Sequence, residues 1–381
     1  MKILYASERP PYPFFLGGAA RSAHYLMAIL ARGFGAQVLA VGSRDFAGTA
    51  WAAPAPQDHV ALDVLAVEER DGVTTAICGY PVRVLPGFAQ ALPQVIAGFA
   101  PDVVWAQLDG IEGVTRAARQ AGRRVVVYLR DAEDPPALLR TLAAQGCGFV
   151  CNSSFMAGRV QGLTGKVAGV IFPSLEADFG VKGDPQGFLT MINPHRVKGL
   201  DTFLDVARRM PHERFLLVES WTLAPPALAD LQARLAALPN VTFWRRVPDA
   251  GQIYRRTRLM LVPSVWEEAF GRVAIEAQSC GIPVIASRRG GLQESVGDGG
   301  LCIAEHLDPD AWVRAIAGIT GNAARYDDLA AKARAHADRD DFKPQEAARR
   351  FLAFCSEPAH FRRPLGLTLR AGLGRLLGRA A

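Results

Sequence analysis

Cysteine is scarce in this chain: six residues in 381, at Cys78, Cys147, Cys151, Cys280, Cys302 and Cys355. Only Cys147 and Cys151 stand close together, and no second Cys/His pair sits at zinc spacing. That scatter excludes a disulfide scaffold or zinc module and reads as small buried thiols. Long apolar runs are missing too. None is long enough to cross a bilayer, and the opening Met1-Lys2-Ile3-Leu4-Tyr5-Ala6 turns polar at Ser7-Glu8-Arg9, too soon for a signal-peptide core. A cytoplasmic protein is expected. No Asp-x-Asp pair stands on a loop directly after a predicted strand, so no metal site is expected. Leu16-Gly17-Gly18-Ala19-Ala20-Arg21 falls short of Gly-x-Gly-x-x-Gly, which argues against a dinucleotide dehydrogenase. Acids are absent from residues 361–381, where Arg362, Arg363, Arg370, Arg375 and Arg379 account for five of the six net positive charges. The nearly balanced remainder gives no basic surface for nucleic acid.

What is present is the profile of a soluble globular chain, 50% apolar and 21% charged, at a length that favours two domains. Strands are predicted at Ile3–Ala6, Gln37–Val41, Pro101–Trp105, Arg124–Leu129 and Phe149–Cys151. Helices between them show apolar periodicity, the first running from Ala19 to Arg32 and ended by Gly33. After a polar stretch the pattern restarts, with strands at Phe188–Ile192, Phe215–Val218, Val241–Trp244, Leu259–Val262 and Pro283–Ala286. Strands apolar on both faces and alternating with helices imply parallel sheets covered on both sides. The expected architecture is α/β, with two Rossmann-like doubly wound parallel-sheet domains facing a central cleft, beyond the carboxyl ends of the strands. The expected boundaries are 1–174 for the first domain, 175–187 for a linker and 188–345 for the second domain. A helix at 346–360 is expected to cross back to the first domain, and 361–381 to form a basic amphipathic tail.

The informative segment runs from Pro263-Ser264-Val265-Trp266-Glu267-Glu268-Ala269-Phe270-Gly271-Arg272-Val273-Ala274-Ile275-Glu276-Ala277 through Gly281-Ile282-Pro283-Val284 to Gly290-Gly291-Leu292-Gln293-Glu294. It reads as a strand, a loop with two acids, a helix entered near Gly271, and another strand leading to a glycine pair. A helix N-terminus offers unpaired N–H groups and a positive dipole end, a seat for phosphate. Glu268 lies just before that end, and Glu276 sits about one turn inside it, where a carboxylate can grip a vicinal diol.

This ordered string resembles the retaining glycosyltransferase family 4 of GT-B fold, and the likeness extends over nearly the whole chain, with Asn152-Ser153-Ser154-Phe155 and Asp249 to Arg255, including Tyr254, falling at matching places. The resemblance implies a metal-independent transfer from a UDP-, GDP- or ADP-sugar, with no cofactor, to a glycan, lipid-linked or small-molecule acceptor in envelope polysaccharide, glycolipid or glycoconjugate synthesis. It implies that Glu276 holds the ribose hydroxyls, that Glu268 contacts the donor sugar near the reacting centre, and that backbone N–H groups of Phe270, Gly271, Arg272 and Val273 face sugar and diphosphate. Lys198, in Asn193-Pro194-His195-Arg196-Val197-Lys198-Gly199, matches the lysine that neutralises the diphosphate. Gly17 and Gly18 match a loop that closes over donor and acceptor, and Gly290 and Gly291 a second turn that approaches an anion. A fixed cation at the leaving diphosphate stabilises the transition state more than the ground state and does the work of a metal.

Two positions depart from the family. Asn193 stands where an arginine is common, leaving Arg196, Arg288 or Arg289 as substitutes. Arg130-Asp131 replaces a His-containing pair on the acceptor side, where Asp131 can orient a hydroxyl and Arg130 bind an acidic acceptor, or the two form a surface ion pair. His24 reads as structural, and His195 as a loop hydrogen-bonder. In the tail, Leu369, Leu373, Leu376 and Leu377 share one helical side opposite Arg375 and Arg379, which suits peripheral contact with the inner membrane face. A GT-B nucleotide-sugar epimerase, or a degenerate subunit binding nucleotide or glycan, are the rival readings.

Overall fold

The computed structural model describes residues 1–46, 53–55, 63–175, 179–247 and 249–363. Two compact units result: Met1–Glu176 with Lys343–Ala381, and Ala177–Phe342. Among the described residues no helix is long and apolar enough to cross a membrane. The tail beyond Arg363 lies outside the described residues, as does most of the basic amphipathic stretch read at 361–381.

The first unit holds β1 (Lys2–Ala6), β2 (Gln37–Ser43), β3 (Ala66–Arg70), β4 (Val73–Ile77), β5 (Pro81–Leu85), β6 (Val103–Ala106), β7 (Arg124–Leu129), β8 (Gly148–Cys151) and β9 (Gly169–Val170). Its helices are α1 (Gly18–Phe34), α2 (Phe88–Phe99), α3 (Ile111–Gln120), α4 (Pro136–Ala144) and α5 (Ser154–Thr164). The sheet order is β3-β4-β5-β2-β1-β6-β7-β8-β9, and β4 alone runs antiparallel to the rest. Those two strands escape the apolar-run criterion because β3 is mostly exposed. Asp71 and Gly72 join them, both at positive φ (52° and 75°), the geometry of a tight two-residue hairpin turn. Helix α1 passes through Gly33, contrary to expectation, and ends where Gly35 turns left-handed (φ 62°) and its N–H reaches Leu30 O. The last strand of this sheet, Gly169–Val170, is only two residues long.

The second unit holds β10 (Phe188–Ile192), β11 (Phe215–Val218), β12 (Val241–Trp244), β13 (Thr257–Val262), β14 (Val284–Ser287) and β15 (Gly300–Ile303). Around them lie α6 (Leu200–Arg209), α7 (Pro225–Leu235), α8 (Gly251–Tyr254), α9 (Arg272–Ser279), α10 (Leu292–Val296), α11 (Pro309–Thr320) and α12 (Ala323–Ala337). All its strands are parallel, in the order β12-β11-β10-β13-β14-β15. The order reverses between β10 and β13, and ligands of open sheets bind where it does. The described end of the stretch read as a linker packs on this unit. Phe179 meets the Tyr254 ring at 4.8 Å, and Gly183 lies so close to Ile282 that a Cβ there would sit 2.4 Å from its side chain.

Helix α13 (Pro344–Ser356) belongs to the first unit's core through Ala347, Ala348, Phe351, Phe354 and Cys355. Phe351 meets Trp105 at 4.8 Å, and the Phe354 ring fills space that a Cβ on Gly148 or Gly169 would need. Truncating such a buried phenylalanine to alanine costs about 3–5 kcal/mol. Past the helix, Lys166 Nζ donates to the carbonyls of Cys147 (2.6 Å), His360 (2.6 Å) and Arg362 (2.9 Å), and burial lowers its pKa to about 8.

Candidate donor site in the second unit

Two loops at the sheet's reversal point build the site. After β10 the chain enters a 3₁₀ turn, Arg196–Lys198, ended by Gly199 at φ 89°. A Cβ at 199 would lie 1.9 Å from Pro263 O, so only glycine lets this turn rest on the loop after β13. The backbone joins the two loops: Val265 N and Trp266 N reach Val197 O at 3.0 and 3.4 Å. Lys198 is thereby carried to Glu268, seventy positions away. Its Nζ lies 2.6 Å from Glu268 Oε1, with the side chains 14% and 10% exposed.

Ser264 Oγ donates to the same Oε1 at 2.6 Å, and Ser287 Oγ, at the end of β14, donates to Ser264 O at 2.6 Å. The ammonium also lies 5.0 Å from the Trp221 ring centroid and 4.2 Å from that of Trp266. The two indoles meet edge to face at 6.2 Å, and the His195 ring stands 5.3 Å from Trp221. An aromatic wall of this kind attracts a cation through the ring quadrupole. Trp221 remains 44% exposed. Trp266 stands on the motif loop that carries Glu268, whereas Trp221 enters from the loop after β11 and is not marked in the sequence by spacing or motif.

Glu276 is less open than expected. Arg272, one turn earlier on α9, donates to its Oε1 from Nε (3.2 Å) and Nη2 (3.0 Å), and Tyr254 OH donates to Oε2 at 2.7 Å. Tyr254 is fully buried, and burial together with the Glu276 charge drives its phenol pKa well up. A carboxylate offers about four lone-pair sites, so the three bonds fix the rotamer and leave acceptor capacity for a ligand hydroxyl. Tyr254 thus positions Glu276, a role invisible at twenty-two residues' separation.

Gly271, at φ 90°, opens α9 with no side-chain cap, while Phe270 is buried against Phe342 at 6.0 Å and Val273 lies half-buried. The glycine pair serves packing. Gly291 N donates to Glu268 O at 2.7 Å, and Cβ atoms at Gly290 and Gly291 would lie 2.2 Å from Glu268 O and 2.5 Å from Ala269 O. Their small size therefore sets the position of the Glu268 loop, where the sequence suggested close approach to an anion.

Asn193 is held at a corner of the backbone by its own geometry. It sits at φ 70°, and its Oδ1 accepts from the N–H groups of Ser220 (3.2 Å) and Trp221 (2.7 Å). A short side chain that tolerates the left-handed region and bonds locally suits this corner, which an arginine would not. Arg196 and Arg288 are exposed, and Arg289 Nη2 pairs with Glu267 Oε1 at 2.8 Å. Glu219, overlooked in the sequence, steadies the same corner: its side chain is 2% exposed and accepts from Leu223 N at 2.8 Å and from Arg245. Burial pushes this carboxyl up, but those bonds bring it below its ordinary value. Asp308-Pro309-Asp310, an Asp-x-Asp sequence, caps α11 through Asp308 Oδ1 and Asp310 N, and Asp310 pairs with Arg209. Among the described residues no three His, Cys, Asp or Glu side chains cluster as metal ligands.

In the first unit, Gly17 precedes α1 without a side-chain cap, and Gly18 opens the helix. Arg130 and Asp131 do not pair: Arg130 turns to Gln107 and Ser22, while Asp131 Oδ1 accepts from Glu133 N at 3.1 Å. His24 is buried, stacks on Tyr12 at 4.3 Å and bonds Tyr80 OH at 2.9 Å, and burial lowers its pKa to about 4. A structural role follows from that packing.

Residues 186–322 match the family model described as Glycosyl transferases group 1. The D-inositol 3-phosphate glycosyltransferase of Mycobacteroides abscessus is 39% identical over 150 residues, covering 37% of this chain and 33% of that protein. The protein of the same name from Segniliparus rotundus is 35% identical over 176 residues, covering 43% and 38%. The chain therefore matches little more than a third of the length of these relatives. Among solved structures, Anabaena HepE in complex with UDP superposes with a TM-score of 0.74 at 18% identity, over 93% of this chain and 100% of that one. Sucrose-phosphate synthase from Thermosynechococcus elongatus gives 0.68 at 17%, over 100% of both chains. These likenesses establish the GT-B fold.

Proposed function

Residues 186–322 match the family model of glycosyl transferases group 1, and from that match we propose that the chain is a retaining, metal-independent glycosyltransferase using a nucleoside diphosphate sugar. The observation that carries this reading is the Lys198 ammonium, held 2.6 Å from Glu268 between two indoles at the sheet's reversal point. A diphosphate arriving there meets a cation already in place. As the bond between the sugar's anomeric carbon and the β-phosphate oxygen breaks, charge grows on that oxygen, and a preorganised cation favours the transition state over the bound donor. Glu268, relieved of its ammonium partner, faces the sugar, and Glu276 takes the ribose diol with its remaining lone pairs. The acceptor oxygen bonds to the same face of the anomeric carbon, and its proton passes to the departing phosphate oxygen, so no protein base is required. The names of the relatives and the UDP complex of HepE support a nucleotide-sugar donor. The acceptor is carried on the first unit in this reading.

Donor hydrolysis tests it without knowledge of the acceptor, because water serves slowly in its place. Each UDP-, GDP- and ADP-hexose is incubated in excess EDTA, and the sugar released is followed by proton NMR before it mutarotates. Release of the donor's own anomer supports retention without a metal. Release of the opposite anomer, or activity that appears only with added Mg²⁺ or Mn²⁺, contradicts it.

A further inference from the structure

Arg130, at the carboxyl end of β7, is a cation held by neutral groups alone. Its Nε donates to Gln107 Oε1 at 3.0 Å, its Nη1 donates to Ser22 Oγ at 2.9 Å, and the guanidinium lies 4.0 Å from the Tyr128 ring centroid. Gln107, Ser22 and Tyr128 are all buried, so this cradle is built in advance. The nearby acids are engaged elsewhere: Asp109 pairs with Arg9 at 2.7 Å, and Asp131 bonds the backbone of Glu133. A guanidinium has five N–H donors, and only two are used here. Ser22 also lies near the start of α1, a seventeen-residue helix with no acid in its first turn, so the dipole adds positive potential to that of Arg130. The place is the first sheet's own reversal point, where the order runs β2-β1-β6 and the loops after β1 and β6 diverge. Removing a cation partly from water without a counter-charge is unfavourable. A half-buried guanidinium kept that way at a ligand crevice is suited to an anion.

We propose that Arg130 binds an oxyanion, a phosphate monoester or a carboxylate, carried by the acceptor. Calling the ligand an acceptor rests on the glycosyl-transfer reading, whereas the anion site rests on the first unit's geometry. The site explains why arginine, with its planar fork, occupies this strand end, and why glutamine and serine orient it: neutral partners fix its direction without spending its charge.

The test uses the full chain, first saturated with whichever of UDP, GDP, ADP or CDP stabilises it most, so that Lys198 is occupied. Inorganic phosphate and, separately, acetate are then titrated at constant ionic strength, with the thermal transition as readout. Wild type should respond to one of the two anions. Arg130→Gln should weaken that response about tenfold, as for the loss of one charge-assisted contact, while leaving the nucleotide response unchanged. Arg130→Lys should fall between and reports should the glutamine variant fail to fold. A phosphate-selective response names a phosphomonoester, an acetate-selective one a carboxylate. Equal responses from wild type and Arg130→Gln, or no response to either anion, would overturn the proposal. If no nucleotide binds, the donor reading fails, but an Arg130-dependent anion response still stands by itself.

Discussion

Replacing Lys198 with alanine should damage stability and turnover for different reasons, and a second substitution can separate them. The ammonium and the Glu268 carboxylate are 14% and 10% exposed and 2.6 Å apart. Breaking a buried pair from one side costs about 3–5 kcal/mol, because the remaining charge keeps its desolvation penalty. Ser264 still bonds Glu268 in the variant, which favours the lower end, about 3 kcal/mol. For a unit the size of Ala177–Phe342, that is a fall of roughly 6–12 °C in its melting transition. Adding Glu268→Gln removes the stranded charge, so the double variant should recover most of the loss. Turnover should not recover. Both variants should be slower by about 10²–10³, the usual effect of losing one transition-state charge stabiliser. Differential scanning fluorimetry and donor hydrolysis on wild type, both single variants and the double variant give the full cycle. If the double variant regains turnover along with stability, or Lys198→Ala melts like wild type, the reasoning fails.

Three further outcomes are expected. Glu276→Gln should weaken nucleoside diphosphate binding by about 1 kcal/mol or more, roughly fivefold, and Tyr254→Phe by less, as titration calorimetry will show. Burial holds the His24 pKa near 4 against an ordinary 6.5. The unfolded chain therefore takes up a proton that the folded ring refuses, and the first unit should lose stability as pH falls from about 6.5 towards 4. Urea unfolding across that range should show a slope that His24→Gln flattens. Full-length chain should sediment with anionic vesicles at low salt, and a chain truncated after Pro358 should not, since each arginine near such a surface contributes about 1 kcal/mol. Equal sedimentation of the two would remove the membrane role from residues 361–381.

Strands buried on both faces were readable because nothing but a continuous apolar run satisfies a covered parallel sheet. Arg124–Leu129, Phe188–Ile192 and Phe215–Val218 fall as the sequence predicts, and so does Val241–Trp244, although as an edge strand it is only partly covered. The β3–β4 hairpin was missed although Asp71-Gly72 advertises its turn, because exposed strands carry no apolar run. Within the site, Glu268, Glu276 and Lys198 were legible from an ordered string. The roles of their partners were not: Ser264, Trp221 and Trp266 acquire theirs only when the loops after β10, β11 and β13 converge, and Tyr254 only when α8 brings its hydroxyl to Glu276 on α9. Asn193 shows the reverse. Its position suggests a ligand site, and nothing in the sequence shows the backbone corner that its positive φ and its bonds to Ser220 and Trp221 make.

The central claim, that Lys198, Glu268 and Glu276 form a seat for a nucleoside diphosphate, is tested most directly by a thermal-shift panel of UDP, GDP, ADP and CDP in excess EDTA. A ligand at a hundred times its dissociation constant stabilises the native state by about 2.7 kcal/mol. One of the four diphosphates should therefore raise the second unit's transition in wild type, its monophosphate should do so less, and Lys198→Ala should lose most of the difference. If no diphosphate shifts the transition, or if Lys198→Ala responds as wild type does, the site has been assigned wrongly.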